Sequence, residues 1–190
     1  MEQSSKGVGV REMFDAIADR YDLMNRVMTF GQDQNWRRFV VSKADVPEGG
    51  RVLDLATGTG DIAAIIAAKH KTTTVAAGDF SLGMLARAKL RYDNGKVDRI
   101  MWHSCDANML PFADATFDAV TFGYLLRNVD DSLRVLAEVL RVLRPGGRAV
   151  CLDTTPPQKN FLYPFIQAYL RLAVPLLGRL IARDESAYAY

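Results

Sequence analysis

Two glycines one residue apart are the first residues that indicate chemistry. Gly58 and Gly60 follow the apolar run of the segment RVLDLATGTGDIA (51–63), and a helical pattern begins directly after them. Glycine lets a chain turn tightly and leaves no side chain between the backbone amides and a ligand. The start of the helix adds a partial positive charge that attracts a carboxylate or a phosphate. The loop therefore predicts close contact with a small ligand.

Two carboxylates follow later apolar runs in register with this loop. Asp79 in AAGDFS lies 19 residues after the second glycine, about where an acid binds the two ribose hydroxyls of an adenosine. Asp106 in CDANMLPF could accept a hydrogen bond from an adenine amino group, and Ala107 could supply a backbone amide. Ser81 needs no functional role, because it can cap the next helix. Asp54 and Asp106 could also be turn or cap residues, so the prediction of a ligand site rests on the combination.

The elements that would position these residues alternate along the chain. Strands are predicted at RVLDL, TTVAAG, RIMWH, FDAVTF and GRAVCLD, and helices at 60–69, 81–91 and 131–143. This alternation predicts an α/β fold with a Rossmann-like, doubly wound, mostly parallel sheet that helices cover on both faces. In such a fold the loops after the strands meet in one crevice at the carboxyl ends of the strands.

The first forty residues predict helices that precede the sheet. Apolar residues recur there at three- and four-residue intervals, the spacing of one helix face: Met13, Phe14, Ile17, Tyr21, Met24 and Met28. A second short helix is indicated by Trp36, Phe39 and Val40. Within one structural domain, we divide the chain into a helical cap at 1–46, a ligand-binding core at 47–155 and an apolar helical segment at 156–190.

Composition narrows the classes of function. The 190 residues are 49% hydrophobic and 24% charged, which is typical of one soluble globular domain. A net charge of +2 gives no field that would favour nucleic acid. Cys105 and Cys151 have neither zinc spacing nor a disulfide framework, which favours a reducing cytoplasm, and the N-terminus lacks the apolar core of a signal peptide. His70 and His103 are isolated, so we expect no metal site.

The glycine loop alone leaves the cofactor open. GTGDIA satisfies the looser dinucleotide pattern G-x-G-x-x-A, so a nicotinamide oxidoreductase remains an alternative. A P-loop is excluded because no Gly-Lys-Ser/Thr follows. Asp54, four residues before Gly58, would face a pyrophosphate unfavourably but suits a cofactor that carries an ammonium and a sulfonium group.

Several segments resemble a known family. VLDLATGTGD, GDFS, DANMLPFADATFDAVTF and VLRVLRPGGRAV are similar to the successive motifs of class I S-adenosylmethionine-dependent methyltransferases. The YDLMN helix and LRNVDD narrow the resemblance to the quinone-biosynthesis C-methyltransferases, which methylate demethylmenaquinol and, in some members, the ubiquinone precursor. The resemblance runs from about Met13 to Tyr190. It implies S-adenosyl-L-methionine as cofactor and a prenylated quinol as substrate.

The resemblance also implies roles for individual residues. Tyr21 would close over the cofactor, and Asp79 would bind the ribose. Thr59 occupies a position that the family uses for binding. The full set of implied cofactor-binding residues is Tyr21, Asp54, Thr57, Gly58, Thr59, Gly60, Asp79, Phe80, Asp106, Ala107 and Gly123.

Arg127 and Asn128 match the substrate-side motif of the family and are the candidate catalytic residues. A guanidinium stays protonated, so we expect Arg127 to stabilise a phenolate, through a water that Asn128 helps to orient, rather than to act as a base. The alternative is structural: Arg127 could pair with Asp130 or Asp131 and cap the next helix.

The chain departs from the family at two places. Relatives usually read Phe-Gly-Leu-Arg-Asn-Val, whereas here Tyr124 and Leu125 precede LRNV, so another apolar phenol or a lipid is an alternative acceptor. Relatives also complete the sheet with a terminal hairpin. We therefore expect C-terminal strands to be missing and one sheet edge to be exposed, through truncation or in favour of a homodimer. A truncated chain could also bind the cofactor without catalysis.

The apolar tail at 161–183 contains Pro164, Pro175 and three arginines, which argues against a spanning helix. Two broken amphipathic helices are predicted instead, covering the substrate pocket with peripheral membrane contact. An ordinary core or dimer surface is the alternative. The predicted location is the cytoplasm, including its membrane face.

Overall fold

The computed structural model describes residues 5–92, 99–155, 159–161 and 163–173. Three helices precede the sheet: α1 at Ser5–Ile17, α2 at Tyr21–Met28 and α3 at Gln32–Lys43. The sequence predicted one continuous apolar helix face over the region of α1 and α2, and this prediction is wrong in one respect. The chain breaks at 18–20, where the Arg20 amide donates to the Ile17 carbonyl at 2.9 Å, so the stripe belongs to two helices.

The third helix confirms the predicted second element, but its buried face differs from the prediction. Trp36 and Phe39 are 39% and 62% exposed. The buried residues of α3 are Asp33, Arg37, Val40 and Val41, which recur with helical spacing. Two charged residues therefore face inward, toward the start of the first helix of the core.

Five parallel strands form the sheet, as predicted. They are β1 at Arg51–Leu55, β2 at Thr74–Asp79, β3 at Ile100–Ser104, β4 at Phe117–Gly123 and β5 at Leu143–Leu152. Their order is β3-β2-β1-β4-β5, and every pairing is parallel. The order reverses at β1, so a doubly wound sheet has its crevice at the carboxyl ends of β1 and its neighbours.

Helices cover both faces of the sheet. They are α4 at Asp61–Lys69, α5 at Leu82–Tyr92 and α6 at Ser132–Val142. Because strand side chains alternate between faces, Val52 packs in the cluster that contains α3 and α4, whereas Leu53 packs in the cluster that contains α6. The described part of the chain is thus a three-layer arrangement with the helical N-terminus added over the crevice.

The C-terminal part is described only to residue 173. β5 is an edge strand of the described sheet and most of its residues are half-buried or exposed. A short helix, α7 at Tyr163–Ala168, leads into a π-helical turn at Tyr169–Ala173. No helix within the described ranges is long and apolar enough to cross a bilayer. The predicted helices at 174–183 lie outside the described residues.

Candidate functional site

A cavity of about 330 Å³ opens at the carboxyl ends of the central strands. That volume is in the range of small-molecule and cofactor sites. Eight of the predicted site residues line it: Tyr21, Gly58, Asp79, Phe80, Asp106, Ala107, Gly123 and Asn128. The other five predicted residues, which are Asp54, Thr57, Thr59, Gly60 and Arg127, lie around this cavity rather than in its wall.

The loop after β1 is tied to the end of β2. The Gly58 amide donates to Asp79 Oδ2 at 2.7 Å, and the Ser81 amide donates to Asp79 Oδ1 at 2.9 Å. Burial raises the pKa of Asp79, although these backbone hydrogen bonds oppose the shift. Gly58 has φ +56°, and an added Cβ would meet only Tyr21 Cε1, at 4.0 Å. The backbone of Gly58, which carries no side chain, and the carboxylate of Asp79 therefore line the same cavity.

Asp54 supports this loop from beneath. It is 1% exposed and accepts hydrogen bonds from the Thr57 hydroxyl at 2.6 Å, the Thr121 hydroxyl at 2.8 Å and the Ala63 amide at 3.1 Å. Burial raises the pKa of Asp54 to about 6 against the effect of these donors. The carboxylate of Asp54 and the hydroxyl of Thr57 are thus engaged inside the protein.

Gly60 allows the loop to pack closely against its neighbours. Its φ is +85°, and a Cβ built on it would lie 2.7 Å from the Trp102 ring and 3.2 Å from Ala88 Cβ. Glycine is required here because the loop passes directly over β3 and α5.

Thr59 joins a buried polar network that sequence reasoning missed. Its hydroxyl donates to Asp22 Oδ1 at 2.6 Å, and Arg91 bridges Asp22 at 2.5 Å and Asp61 at 3.1 Å. Asp61 also pairs closely with Arg37 of α3. The network links α2, α3 and α5 to the glycine loop, so it holds Tyr21, the neighbour of Asp22, over the cavity.

The first helix forms a wall of the cavity that was also missed. Val10, Arg11 and Phe14 line the cavity. The helix is fixed by Asp15, whose Oδ1 accepts from the Ser81 hydroxyl at 2.5 Å and from the Gly83 amide at 2.8 Å. The sequence offers one signal for this contact, which is the acidic residue Asp15 within the apolar stripe of α1.

The predicted adenine side has local turn geometry. Asp106 Oδ1 accepts from the amide and side chain of Asn108, at 2.8 and 2.9 Å. Asp106 is exposed, and Ala107 is buried beside it. Both line the cavity together with Phe80, beyond the end of β3. The Ser81 hydroxyl accepts from the Met84 amide at 3.0 Å, which confirms its role as a helix cap.

The loop after β4 places the two candidate catalytic residues differently. Asn128 lines the cavity and donates to the Tyr124 carbonyl at 2.7 Å. Arg127 is 52% exposed, lies 4.8 Å from the centre of the Tyr124 ring, donates to the Thr154 hydroxyl at 2.9 Å and approaches Asp153 at 3.8 Å. Its polar partners Thr154 and Asp153 thus lie beyond the end of β5.

Two further features of that loop concern helix capping and bulk. Asp131 caps α6 through the Arg134 amide at 2.9 Å. Leu125 is 7% exposed; it packs in the α6-side core and also lines the cavity. The side chain of Leu125 therefore lies at the cavity wall.

Solved structures share this fold. A SAM-dependent methyltransferase from Aquifex aeolicus has a TM-score of 0.58 at 21% identity, covering 76% of this chain and 78% of that one. A Haemonchus contortus phosphoethanolamine N-methyltransferase, solved with S-adenosylhomocysteine, has a TM-score of 0.60 at 24% identity over 71% of this chain and 32% of that one. These likenesses establish the fold.

Sequence comparison establishes the family. A relative from Desulfotalea psychrophila, a ubiquinone/menaquinone biosynthesis C-methyltransferase, is 67% identical over 98% of this chain and 74% of its own length. A demethylmenaquinone methyltransferase from Deinococcus radiodurans is 39% identical over 100% of this chain and 78% of its own length. The model of the ubiE/COQ5 methyltransferase family matches residues 1–190. The chain belongs to the ubiE/COQ5 methyltransferase family.

Proposed function

We propose that this chain transfers a methyl group from S-adenosyl-L-methionine to a ring carbon of a prenylated quinol of the demethylmenaquinol type. The observation that carries this proposal is the cavity after β1, β2 and β4, which has cofactor-type residues on one side and Asn128 on the other, with Arg127 stacked on the lining residue Tyr124 just outside the wall. It occurs in a chain that is 67% identical to a quinone-biosynthesis C-methyltransferase.

The residues present fit the cofactor. Gly58 leaves its backbone open to the cavity without a side chain, Asp79 offers a buried carboxylate for the ribose hydroxyls, and Asp106 with Ala107 lies where an adenine would reach. Tyr21 covers the loop from α2. When bound, the cofactor supplies an electrophilic methyl group on a sulfonium. Asp54, Thr57, Thr59 and Gly60 hold the loop in place.

The acceptor side must make a ring carbon nucleophilic. Loss of a proton from a quinol hydroxyl delocalises negative charge into the ring, and the carbon–methyl bond then forms as the carbon–sulfur bond breaks. The ring carbon afterwards loses its own proton, which restores aromaticity and regenerates the phenolate. The phenolate then regains a proton to give the neutral quinol, so one proton is released in total per methyl transferred. Arg127 stabilises the phenolate charge, and Asn128, fixed on Tyr124, orients the water that receives the hydroxyl proton.

The test is a methyl-transfer assay with the chain and labelled S-adenosylmethionine. We expect label in a reduced demethylmenaquinone with a short prenyl tail and no transfer to the oxidised quinone, which lacks the hydroxyl proton. A non-prenylated phenol and a phospholipid serve as competing acceptors. Label in either of those, with none in the quinol, would overturn the proposed substrate.

A further inference from the structure

A second, smaller pocket of about 30 Å³ continues the main cavity behind the glycine loop. The two share Tyr21, Ala56, Gly58, Gly123 and Tyr124 in their walls. The remaining wall of the small pocket is made by Arg37, Thr57, Thr59, Ile62 and Leu152. Within the described part of the chain, Arg37 is the only charged residue in that wall.

The order of the strands indicates which end of the cofactor reaches the small pocket. Asp79 ends β2 and Asp106 follows β3, so the ribose and adenine lie over that half of the sheet. A cofactor in an extended pose then places its amino-acid end over β1 and β4. The small pocket lies there, between the glycine loop after β1 and Tyr124 after β4.

The amino-acid end carries a carboxylate that needs a cation. The first turn of α4 borders this region through Ile62, but it already has two buried carboxylates beside it. The Ala63 amide donates to Asp54, and Asp61 is the first residue of the helix; the two are 1% and 4% exposed. Backbone dipoles alone would therefore have to bind an anion beside two buried acids. A guanidinium in the pocket wall resolves that conflict.

Arg37 has donors to spare. It is 6% exposed, its Nη1 pairs closely with Asp61, and its Nη2 lies 3.6 Å from Asp33. A guanidinium has five N–H donors, so these contacts leave several for a ligand. Asp61 is shared with Arg91 at 3.1 Å and accepts from the Tyr92 hydroxyl at 2.9 Å, so Arg37 is not its only partner.

Arg11 is the other arginine in a cavity wall, but it belongs to the opposite end. Helix α1 is fixed over the start of α5, just after Asp79, by the hydrogen bonds that Asp15 accepts from Ser81 and Gly83. Arg11 therefore lies over the adenosine half of the cavity.

We propose that Arg37 binds the carboxylate of the methionine moiety of S-adenosylmethionine in the small pocket. The proposal rests on the proposed function, because it assigns one residue to one part of that cofactor. It makes α3 a part of the cofactor site and explains why a helix of the N-terminal cap buries an arginine.

Two ligands that differ only in this moiety provide the test. S-adenosylhomocysteine carries the amino-acid group, and 5′-methylthioadenosine lacks it. Loss of a charge-assisted hydrogen bond predicts that Arg37→Met weakens binding of S-adenosylhomocysteine by about 10- to 100-fold. Binding of 5′-methylthioadenosine changes by less than about threefold, and Arg37→Lys, which keeps the charge, gives an intermediate loss. Calorimetry measures both ligands on each variant.

Arg38→Met is the matched control, because Arg38 is an exposed neighbour on α3 that contacts Asn35. We expect it to change neither affinity. Equal losses for both ligands in Arg37→Met would assign Arg37 a structural role and overturn the inference, as would unchanged binding. If Arg37→Met does not fold, the same ligand ratio is read from Arg37→Lys. If the wild type binds neither ligand, the proposed function itself fails; if it binds both equally, only the Arg37 assignment fails.

Discussion

The loops after β1 and β4 each contain a residue with nearly the same positive φ, but the two residues have very different side chains. φ is +56° at Gly58 and +57° at Tyr124, so both residues are in the left-handed region. At Gly58 glycine removes the steric cost and leaves the backbone without a side chain at the cavity. At Tyr124 a non-glycine residue accepts a cost of about 1–2 kcal/mol and places a ring beneath Arg127. A positive φ thus leaves the backbone without a side chain in one loop and is combined with an aromatic ring in the other.

The two loops also differ in what holds them. Buried carboxylates fix the loop after β1, since Asp54 lies beneath it and Asp79 bonds its amide. Contacts of Arg127 with Thr154 and Asp153 fix the loop after β4, and Arg127 is half-exposed. The cofactor side is therefore preorganised inside the protein, whereas the acceptor side is held from its surface.

The largest expected effect is on catalysis and should leave cofactor binding unchanged. Arg127→Ala should lower kcat by about 100- to 1000-fold, because the phenolate loses its stabilising charge. The dissociation constant of S-adenosylhomocysteine should not change, because Arg127 is not in the cavity wall. Steady-state kinetics and calorimetry measure the two quantities.

Arg148→Ala is the control for this change. Arg148 is 57% exposed and pairs with Asp45 at 2.8 Å, so it loses a similar surface ion pair elsewhere on the sheet. We expect its kcat to match that of the wild type. A parallel loss of kcat and cofactor affinity in Arg127→Ala would remove the distinction between the two loops.

The difference between these loops shows what sequence can predict. The strands and the ligand loop follow from local patterns, such as the apolar run of β1 and the pair Gly58 and Gly60. The interaction of Thr59 with Asp22 joins residues 37 positions apart, and no local pattern encodes it. The left-handed φ at Tyr124 was equally hidden, because a tyrosine gives no signal for that conformation. A glycine loop that lines a ligand site can therefore be predicted from the sequence, whereas contacts between residues that are distant in the sequence cannot.

The second prediction tests the preorganised side through pH. Burial raises the pKa of Asp54 from 3.8 to about 6, so between those pH values the folded protein binds a proton that the unfolded chain has lost. The free energy of unfolding should therefore fall as pH rises through this window, by roughly 2 kcal/mol between about pH 4.5 and 6.5. Urea unfolding at the two pH values measures the change.

Asp54→Asn separates this effect from that of other acids. The asparagine can still accept from Ala63 and Thr57 while its amide donates to the Thr121 hydroxyl. The fall of roughly 2 kcal/mol should be absent from the variant, whereas groups such as Glu138, whose pKa is lowered to about 2 by Arg141, contribute equally to both proteins. Identical pH dependence in wild type and variant would show that Asp54 does not titrate in this window.

The smallest expected effect tests the positive φ that Gly58 and Tyr124 share. At a position with a left-handed φ, the folded protein is more stable with glycine than with alanine by about 1 kcal/mol. Gly58→Ala should therefore be about 1 kcal/mol less stable than the wild type, and Tyr124→Ala about 1 kcal/mol less stable than Tyr124→Gly, since the last two lose the same ring. Thermal and urea unfolding measure both differences.

The variants in the two loops should change stability by similar amounts but should differ in their effects on cofactor binding and kcat. The methyl of Gly58→Ala lies at the amide that faces the cofactor, so binding of S-adenosylhomocysteine should weaken while the loop after β4 is unchanged. Both Tyr124 variants remove a ring that lies beneath Arg127 and also lines both pockets, so they should lower kcat and cofactor affinity to the same extent as each other. If Tyr124→Gly proves no more stable than Tyr124→Ala, the chain does not keep the left-handed turn there. The ring would then be oriented by its contact with Arg127 rather than by the backbone.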